Sequence, residues 1–286
     1  MNSLSLERKA QILACLTEGM SIRATCRVTG AAKGTVIRLI REVGAACEDY
    51  QDRWLRDLTC TQIQCDELWT FCLQKNRRVP RDQRHILGKG NVWNYVAICR
   101  DCKLIPVWHA GRKSVTDTRT FIADLRSRLT AKIQLSTDAM NAYETAVVRS
   151  FTAAEADYGQ IDKDYSSPIG QNKSPDTRYS PGHLVSVTKR TIMGDPDEDM
   201  ICTSHVERVN LTIRMQNRRF TRLTNGFSKR ILMHRCSLAI TFFHYNFIRK
   251  HQSLGGKTPA MAAGITNHVW TLRDMLFAAD QCASAA

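Results

Sequence analysis

The chain has 286 residues, of which 43% are hydrophobic and 24% are charged, a composition that supports a large core and excludes wholesale disorder. Its 41 Lys and Arg against 27 Asp and Glu give a net charge of +14, which predicts a polyanionic partner, most often a nucleic acid. It contains no uncharged apolar run of 18 residues and no recognisable signal peptide, so we expect neither a membrane span nor secretion. The eleven scattered cysteines predict free thiols in a reducing compartment.

The first 47 residues predict a small helical domain. The segments "SLERKAQILACLTEG", "SIRATCRVTG" and "AAKGTVIRLIREVGAAC" each place apolar residues at helical spacing, and Gly19 and Gly30 fall at the expected helix ends. This pattern is typical of a helix-turn-helix, whose last helix enters the major groove of DNA, although a plain three-helix bundle fits it as well. The side chains expected to face DNA are Lys33, Thr35, Arg38 and Arg41.

Strand and helix patterns alternate from residue 60 onward. "TCTQIQCDELWTFCL" predicts a buried strand, "NVWNYVAICRDCKLIPVWHAG" a hairpin, and "AKIQLSTDA" a short strand between two helices. Proline, glycine and polar residues dominate 158–200, which predicts an insertion outside the core. We therefore expect an α/β fold with a mixed sheet behind the helical domain. The expected divisions are a helix-turn-helix domain at 1–47, a linker helix at 48–59, an α/β domain at 60–226 and a basic helical C-terminal region at 227–286.

Three acids in the predicted α/β domain are candidates for a shared site. Asp66 lies in the middle of a predicted strand, where carboxylates are uncommon and costly to bury. Asp138 ends a second strand, a favoured position for site residues, and Glu207 begins a helix. Glu67 is adjacent to Asp66, but neighbours on a strand point to opposite faces, so only one of the two is expected in the site. A cap or a surface ion pair is the simpler interpretation of any one acid alone.

Taken together, these acids predict a site for divalent cations on DNA. Three carboxylates favour Mg²⁺ or Mn²⁺ over zinc, and two such ions can activate the attacking oxygen and stabilise the leaving oxygen at phosphorus. Twelve bases and no acid lie between Glu207 and Asp274, so we expect the phosphodiester backbone to lie along this tract. Glu207, Asn210, Arg214 and Arg218 recur on one helical stripe. The DNA contacts expected here are Arg208, Asn210, Arg214, Arg218, Arg219 and Arg222.

At "CDELW", "STDAMNAY" and "TSHVERVNLTIRM" the sequence resembles the DDE transposases of the insertion-sequence-one family. The segment "RRFTRLTNGFSK" continues the likeness, and "HYNFIRKHQSLGGKTPAMAAG" is similar to the tail of bacterial transposases. The resemblance implies an RNase H-like catalytic core with a helical C-terminal tail. It also implies a catalytic and metal-binding triad at Asp66, Asp138 and Glu207. Arg214, seven positions after Glu207, matches a position that contacts DNA in related enzymes.

The resemblance further implies a transposase of a bacterial insertion sequence. Such an enzyme binds the element's ends, uses metal-activated water to free a 3′-OH, and joins that hydroxyl to target DNA by transesterification. The implied partner is double-stranded DNA, bound by a homodimer or a larger assembly on the bacterial nucleoid in the cytoplasm. The sequence departs from the family in two ways. It has no paired-cysteine zinc finger before Cys60, and the spacing from Asp138 to Glu207 is long.

Two other functions fit part of the sequence. A helix-turn-helix regulator without catalysis explains the basic charge but not the acid in mid-strand. Another RNase H-like metal-dependent nuclease shares the triad but does not need a DNA-reading domain. Cys99 and Cys102 form "CRDC". Because no second pair lies at a suitable spacing, the sequence favours a tight turn with incidental thiols over a zinc site.

Overall fold

A computed structural model describes residues 4–166 and 183–284. Within them a mixed sheet is packed between two layers of helices. The strands are β1 Gln62–Cys72, β2 Gly90–Cys99, β3 Trp108–Gly111, β4 Ile133–Asp138, β5 Ala156–Tyr165 and β6 Leu184–Met193. The helices are α1 Leu6–Thr17, α2 Ile22–Thr29, α3 Lys33–Trp54, α4 Val115–Ser127, α5 Asn141–Ser150, α6 Ser204–Gln216, α7 Ile231–Phe243, α8 Pro259–Ala262 and α9 Leu272–Ser284.

The six strands lie in the order β3-β2-β1-β4-β5-β6. β2 runs antiparallel to both β1 and β3, whereas β1, β4 and β5 are mutually parallel, and β6 returns antiparallel beside β5. Helices α4 and α5 provide the connections that the parallel strands require. This arrangement is consistent with the RNase H-like α/β core that the resemblance implies.

The predicted strands and helices of the α/β domain are present because their apolar residues have the periodicity that each element requires. In β1, Ile63 and Cys65 belong to the core on the α4 and α5 side, whereas Leu68 packs on the opposite side with α6 and α7. This alternation is the period-two pattern of a strand that is buried on both faces.

The described part of residues 158–200 does not form the insertion outside the core that the sequence predicts. Most of the described part forms the hairpin of β5 and β6, and Tyr158, at the start of β5, is fully buried. β5 is a core strand because it pairs with β4 from Ile133↔Ala156 to Asp138↔Ile161. The polar composition that suggested a loop belongs to the outer end of β5 and to the exposed edge strand β6. Residues 167–182 of the predicted insertion lie outside the described residues.

The linker helix predicted at 48–59 is the continuation of α3. This helix runs without interruption to Trp54, so the boundary expected after residue 47 falls inside it. Helix α3 crosses α7 at Gly44, where an added Cβ would lie 2.4 Å from the Cβ of Cys236. A glycine is therefore required for the two helices to approach this closely.

The helices at the two ends of the chain share one core. Helix α1 packs against α9, and α3 packs against both α7 and α9. Ile12 of α1, Val36 of α3 and Met275 of α9 are all fully buried in the same apolar cluster. In the described part of the chain, residues 227–286 thus contribute to the core rather than extending from it as a tail. None of the helices described there is long and apolar enough to cross a membrane.

Candidate metal centre

Asp66 and Asp138 meet because β1 and β4 run side by side in parallel. The register pairs Gln62 with Gln134 and Gln64 with Ser136. Two residues further along each strand, at the carboxyl end of β4, stand Asp66 and Asp138. The pairing of the strands stops before this point, so the two carboxylates lie side by side where the sheet opens. The predicted proximity of these two acids is thus present in the structure.

Glu67 also belongs to this site, contrary to the strand-alternation argument. The carboxylate oxygens of Asp66, Glu67 and Asp138 lie within 4.8 Å of one another. Glu67 leaves the opposite face of β1 from Asp66, as alternation requires. Because the bonding between β1 and β4 has ended by then, carboxylates from both faces of β1 can reach Asp138. We refer to these three residues as the acidic cluster.

Burial disfavours ionisation of the acidic cluster. Burial raises the pKa of Asp66 to about 6, with a smaller contribution from Asp138, against the opposing hydrogen bond from the Glu67 amide. Burial and the neighbouring Asp138 raise the pKa of Glu67 to about 8, although Lys113 opposes the shift. The pKa of Asp138 is also raised, mainly by burial. Carboxylates crowded in this way are stabilised by a bound cation.

Two acceptor atoms at the cluster have no hydrogen bond of ordinary length among the described residues, although the Tyr143 hydroxyl lies close enough to Glu67 to oppose the rise in its pKa. They are Oε1 of Glu67, whose side chain is only 2% exposed, and Oδ1 of Asn210 on α6. Asn210 is held in place because its Nδ2 donates to Oδ2 of Asp66 at 2.8 Å. Buried oxygen acceptors without such hydrogen bonds, beside crowded carboxylates, suit a hard divalent cation such as Mg²⁺ or Mn²⁺. The residues that could hold it are Asp66, Glu67 and Asp138.

Glu207 lies beside the acidic cluster but is not part of it. Its side chain is 48% exposed, and Oε1 accepts hydrogen bonds from Lys163 Nζ at 2.5 Å and from Thr203 Oγ1 at 2.7 Å. It stands one turn before Asn210 on α6, and its charge contributes to the raised pKa of Asp66. Of the three predicted acids, the structure therefore brings two into contact and pairs the third with a lysine.

Two lysines next to these acids were not identified from the sequence. Lys113 Nζ lies 3.7 Å from Oε2 of Glu67 and 4.7 Å from the centre of the Trp93 ring. Lys163, on β5, bridges Thr203 and Glu207 at the start of α6. Both follow buried strand residues in the sequence, a position that many surface lysines share. No sequence signal distinguished them.

Helix α6 presents its apolar side to the sheet. Val206, Val209 and Ile213 are buried in the cluster that covers one face of β1 and β2, and Phe220 joins them. The predicted stripe from Glu207 to Arg218 is shorter than expected. Helix α6 ends at Gln216, and Arg218 lies in the following short 3₁₀ turn. The stripe therefore ends with Arg214.

The predicted DNA-contacting residues fall into exposed and covered groups. Arg214 is half-buried, and its pKa is lowered by burial and by Arg222, while Asp66 opposes that shift. Arg219 is partly covered, its pKa is also lowered by burial, and its Nη1 lies 3.5 Å from Ser228 Oγ. Asn210 is buried against Asp66, and Thr35 and Arg218 are half-buried. The exposed members are Lys33, Arg38, Arg41, Arg208 and Arg222.

The solved structures that resemble this chain include a strand transfer complex and a transposase synaptic complex, and both likenesses are weak. No protein-family model matches the sequence, and no curated protein matches it. In the Mos1 strand transfer complex, the match has 12% identity and a TM-score of 0.22 and covers 52% of this chain and 56% of that one. In the piggyBac transposase synaptic complex with hairpin DNA, it has 10% identity and a TM-score of 0.38 and covers 100% of this chain and 72% of that one. The chain thus spans little more than half of the Mos1 chain.

Proposed function

We propose that the chain is a DNA transposase of a bacterial insertion sequence. In this proposal it binds the element's ends, cleaves DNA to release a 3′-OH and transfers that end into target DNA. The observation that carries the proposal is the convergence of Asp66 and Asp138 at the open end of two parallel strands, with Glu67 beside them. The acidic cluster lies next to α6, from which the basic tract begins.

The acidic cluster would hold the divalent cations of the reaction, Mg²⁺ or Mn²⁺, as two ions. Bound there, such ions would supply Lewis-acid activation of water and of the 3′-OH and would stabilise the leaving oxygen. Asn210 orients Asp66 through its amide, so that the carboxylate keeps one direction. The backbone amide of Glu67 donates to the other oxygen of Asp66 at 2.8 Å and fixes it further.

Glu207 would complete the ligand set by leaving Lys163. The glutamate side chain is half-exposed, and Lys163 occupies its Oε1. A cation beside Asp66 would attract Glu207 more strongly than a single ammonium group does, because it carries twice the charge. Lys163 Nζ would then be free to bind a phosphate oxygen, while its contact with Thr203 keeps it near the start of α6.

The basic residues of α6 and of α3 would hold the DNA backbone on both sides of the acidic cluster. Arg208 is exposed on α6, and Arg214 lies on the same helix near Asp66. The first turns of α3 present Lys33 and Arg41 to solvent. Contacts with phosphate position the duplex without reading its sequence. Recognition of the element's ends would require base contacts, which we assign to the exposed face of α3.

The test of the proposal is strand cleavage and transfer by single-residue variants. Asp66→Asn, Asp138→Asn and Glu207→Gln should each lower Mg²⁺-dependent cleavage of DNA carrying the gene's own flanking sequences by more than about 100-fold, because even the removal of residues that only support metal ligands costs 10–100-fold. Binding of the same DNA should persist. Asp82→Asn, which removes an exposed carboxylate that is not part of the acidic cluster, is the control and should retain activity.

The outcomes separate the proposal from its two alternatives. Sequence-specific binding without any cleavage by the wild-type protein would indicate a regulator. Cleavage that never leads to joining of the 3′ end to a second DNA would indicate a nuclease. Cleavage that survives all three substitutions would remove the acids from the reaction.

A further inference from the structure

Three cysteine thiols converge at the end of the sheet where β1 begins and β2 ends. Cys60 lies two residues before β1, Cys99 ends β2 and Cys102 lies in the turn that follows. Their Sγ atoms lie within 4.8 Å of one another, and those of Cys60 and Cys102 are 3.9 Å apart. Cys60 and Cys99 are buried, whereas Cys102 is partly exposed. Cys60 is the third thiol of this cluster, and the sequence alone does not associate it with Cys99 and Cys102.

The Cys99–Cys102 turn is closed by a backbone hydrogen bond and contains a residue in the left-handed region. The amide of Cys99 donates to the Leu104 carbonyl at 2.8 Å, which closes the turn. Lys103, directly after the second cysteine, has a φ of 60°, in the left-handed region that non-glycine residues seldom occupy. This conformation curls the chain so that both thiols point to the same side. Backbone strain of this kind is retained where the surrounding structure requires it.

Backbone amides face the sulfur atom of Cys99. The thiols of Cys102 and Cys60 lie within hydrogen-bonding reach of the Cys99 sulfur, and the amides of Cys102 and Asp101 donate to it as well. The amide of Leu104 similarly donates to Cys102. Thiolate sulfur is the form that binds metal, and amide donors stabilise that form. Two of the three sulfur atoms, those of Cys99 and Cys102, thus have backbone amide donors beside them.

The segment that carries Cys60 is fixed against the same turn. The amide of Arg100 donates to the carbonyl of Gln62 at 2.8 Å, and the hydroxyl of Thr61 lies 3.4 Å from a carboxylate oxygen of Asp101. These contacts hold the start of β1 beside the turn independently of the thiols. Three sulfur atoms from two chain segments are therefore preorganised before any ion binds.

We propose that Cys60, Cys99 and Cys102 bind one zinc ion, with solvent as the fourth ligand. Zinc is bound by cysteine thiolates in tetrahedral sites, and Cys-x-x-Cys followed or preceded by a distant ligand is a common spacing. Partial exposure of Cys102 leaves the fourth position accessible to water. Soft thiolates select zinc over Mg²⁺, so this site and the acidic cluster would hold different metals.

The zinc site would also position the helix that carries Glu207. Lys103 Nζ contacts His205 Nδ1 at 3.3 Å, and Arg100 contacts Met200 just before α6. Both basic residues belong to the turn that the ion would rigidify. The inference about metal binding does not depend on the proposed function, because the ligands and their test involve sulfur alone.

Cobalt binding to the full-length protein tests the site. Co²⁺ added under reducing conditions should produce a thiolate-to-metal charge-transfer absorption with one ion per chain, and Zn²⁺ should displace it. Cys60→Ser, Cys99→Ser and Cys102→Ser should each weaken the affinity at least tenfold. Cys26→Ser, at another partly covered thiol, and Asp66→Asn should leave the absorption unchanged.

A measurement on the wild-type protein covers the case in which a variant fails to fold. The ¹¹³Cd NMR shift of the cadmium-loaded protein reports how many sulfur atoms bind the metal, and three are expected. The absence of a resonance typical of sulfur ligands, or of a charge-transfer absorption with Co²⁺, would overturn the proposal. So would a Cys60–Cys102 disulfide that persists under the same reducing conditions, because it would remove two of the ligands.

Discussion

At the residue scale, the decisive side chain of the acidic cluster is Glu67. It is nearly inaccessible, its Oε1 has no hydrogen bond of ordinary length among the described residues, and its pKa is raised to about 8 by burial and by Asp138. Asp66, with a pKa of about 6, faces the other layer of helices and is held by Asn210. Without a cation, ionising these groups places two like charges beside Asp138 in a poorly solvated site.

The raised pKa values predict how stability depends on pH in the absence of added divalent cations. Both folded-state pKa values lie above the ordinary values of 4.5 for Glu67 and 3.8 for Asp66, so the folded state binds these protons more tightly than the unfolded state. Their contribution to stability is therefore complete below about pH 4 and disappears as the pH rises through about 6 and then about 8. Glu67→Gln should reduce this decline between about pH 5 and about pH 8, measured by urea unfolding at several pH values.

The comparison with wild type isolates Glu67 from the other titrating groups. Asp82→Asn, at an exposed position, should follow the wild-type profile. Mn²⁺ should stabilise the wild-type protein more at pH 8 than at pH 6, because protons compete with the cation for the same oxygens. If the stability of Glu67→Gln and that of the wild type changed with pH in the same way, burial would not disfavour the ionisation of Glu67.

The sequence revealed two of the three clustered acids for a physical reason. A carboxylate in the middle of an apolar strand, such as Asp66, or at the end of one, such as Asp138, has a cost that a site would explain. Strand alternation directs Glu67 away from Asp66, so the sequence predicts that only one of the two enters the site. The point at which β1 and β4 separate depends on how the two strands pair. The sequence of one strand alone does not reveal it.

At the element scale, the crossing of α3 and α7 depends on Gly44. An added methyl group there would lie 2.4 Å from Cys236 Cβ and 2.6 Å from its Cα. We expect Gly44→Ala to destabilise the fold by about 1–3 kcal/mol or more, the usual cost of overpacking. The measurement is the midpoint of urea unfolding.

Gly34 is the matched control for this substitution. It lies in the first turns of the same helix, and a Cβ added there would meet nothing within 4 Å. Gly34→Ala should be neutral or slightly stabilising, since alanine favours a helix over glycine by up to about 1 kcal/mol. Equal destabilisation by both variants would show that the close approach of α3 and α7 does not set the effect.

Most of the individual elements were predictable because their residues alternate or repeat at the spacing of a strand or helix. The hairpin of β5 and β6 was not, because β6 is an exposed edge strand without a buried apolar face. The length of α3 was also missed, since its second half, with Asp49, Asp52 and Arg53, looks like a solvated linker. Only the tertiary contact of its apolar side with α7 shows that it belongs to the core.

At the scale of the whole molecule, positive charge is the property most directly tied to the proposed partner. Within the basic tract, Arg235 and Arg273 form ion pairs with Glu48 and Glu7 of the N-terminal helices. These two arginines therefore pair with acids of the N-terminal helices. The exposed bases Arg208 and Arg222 remain accessible to a polyanion.

The salt dependence of DNA binding measures how many exposed bases touch phosphate. Combining Lys33→Ala, Arg38→Ala and Arg41→Ala should reduce the slope of log affinity against log salt concentration by about 0.9 for each phosphate that these side chains neutralise. Arg126→Ala, which removes a base paired with Glu155, is the control and should leave the slope unchanged. Identical slopes for the triple variant and wild type would place the DNA away from α3.

The packing of α1 against α9 has a consequence for biosynthesis. The side of α1 that α9 covers stays exposed while the ribosome makes the residues between the two helices, until α9 has emerged. A product shortened at either end therefore exposes the same surface, and premature termination yields chains prone to aggregation and proteolysis rather than smaller working proteins.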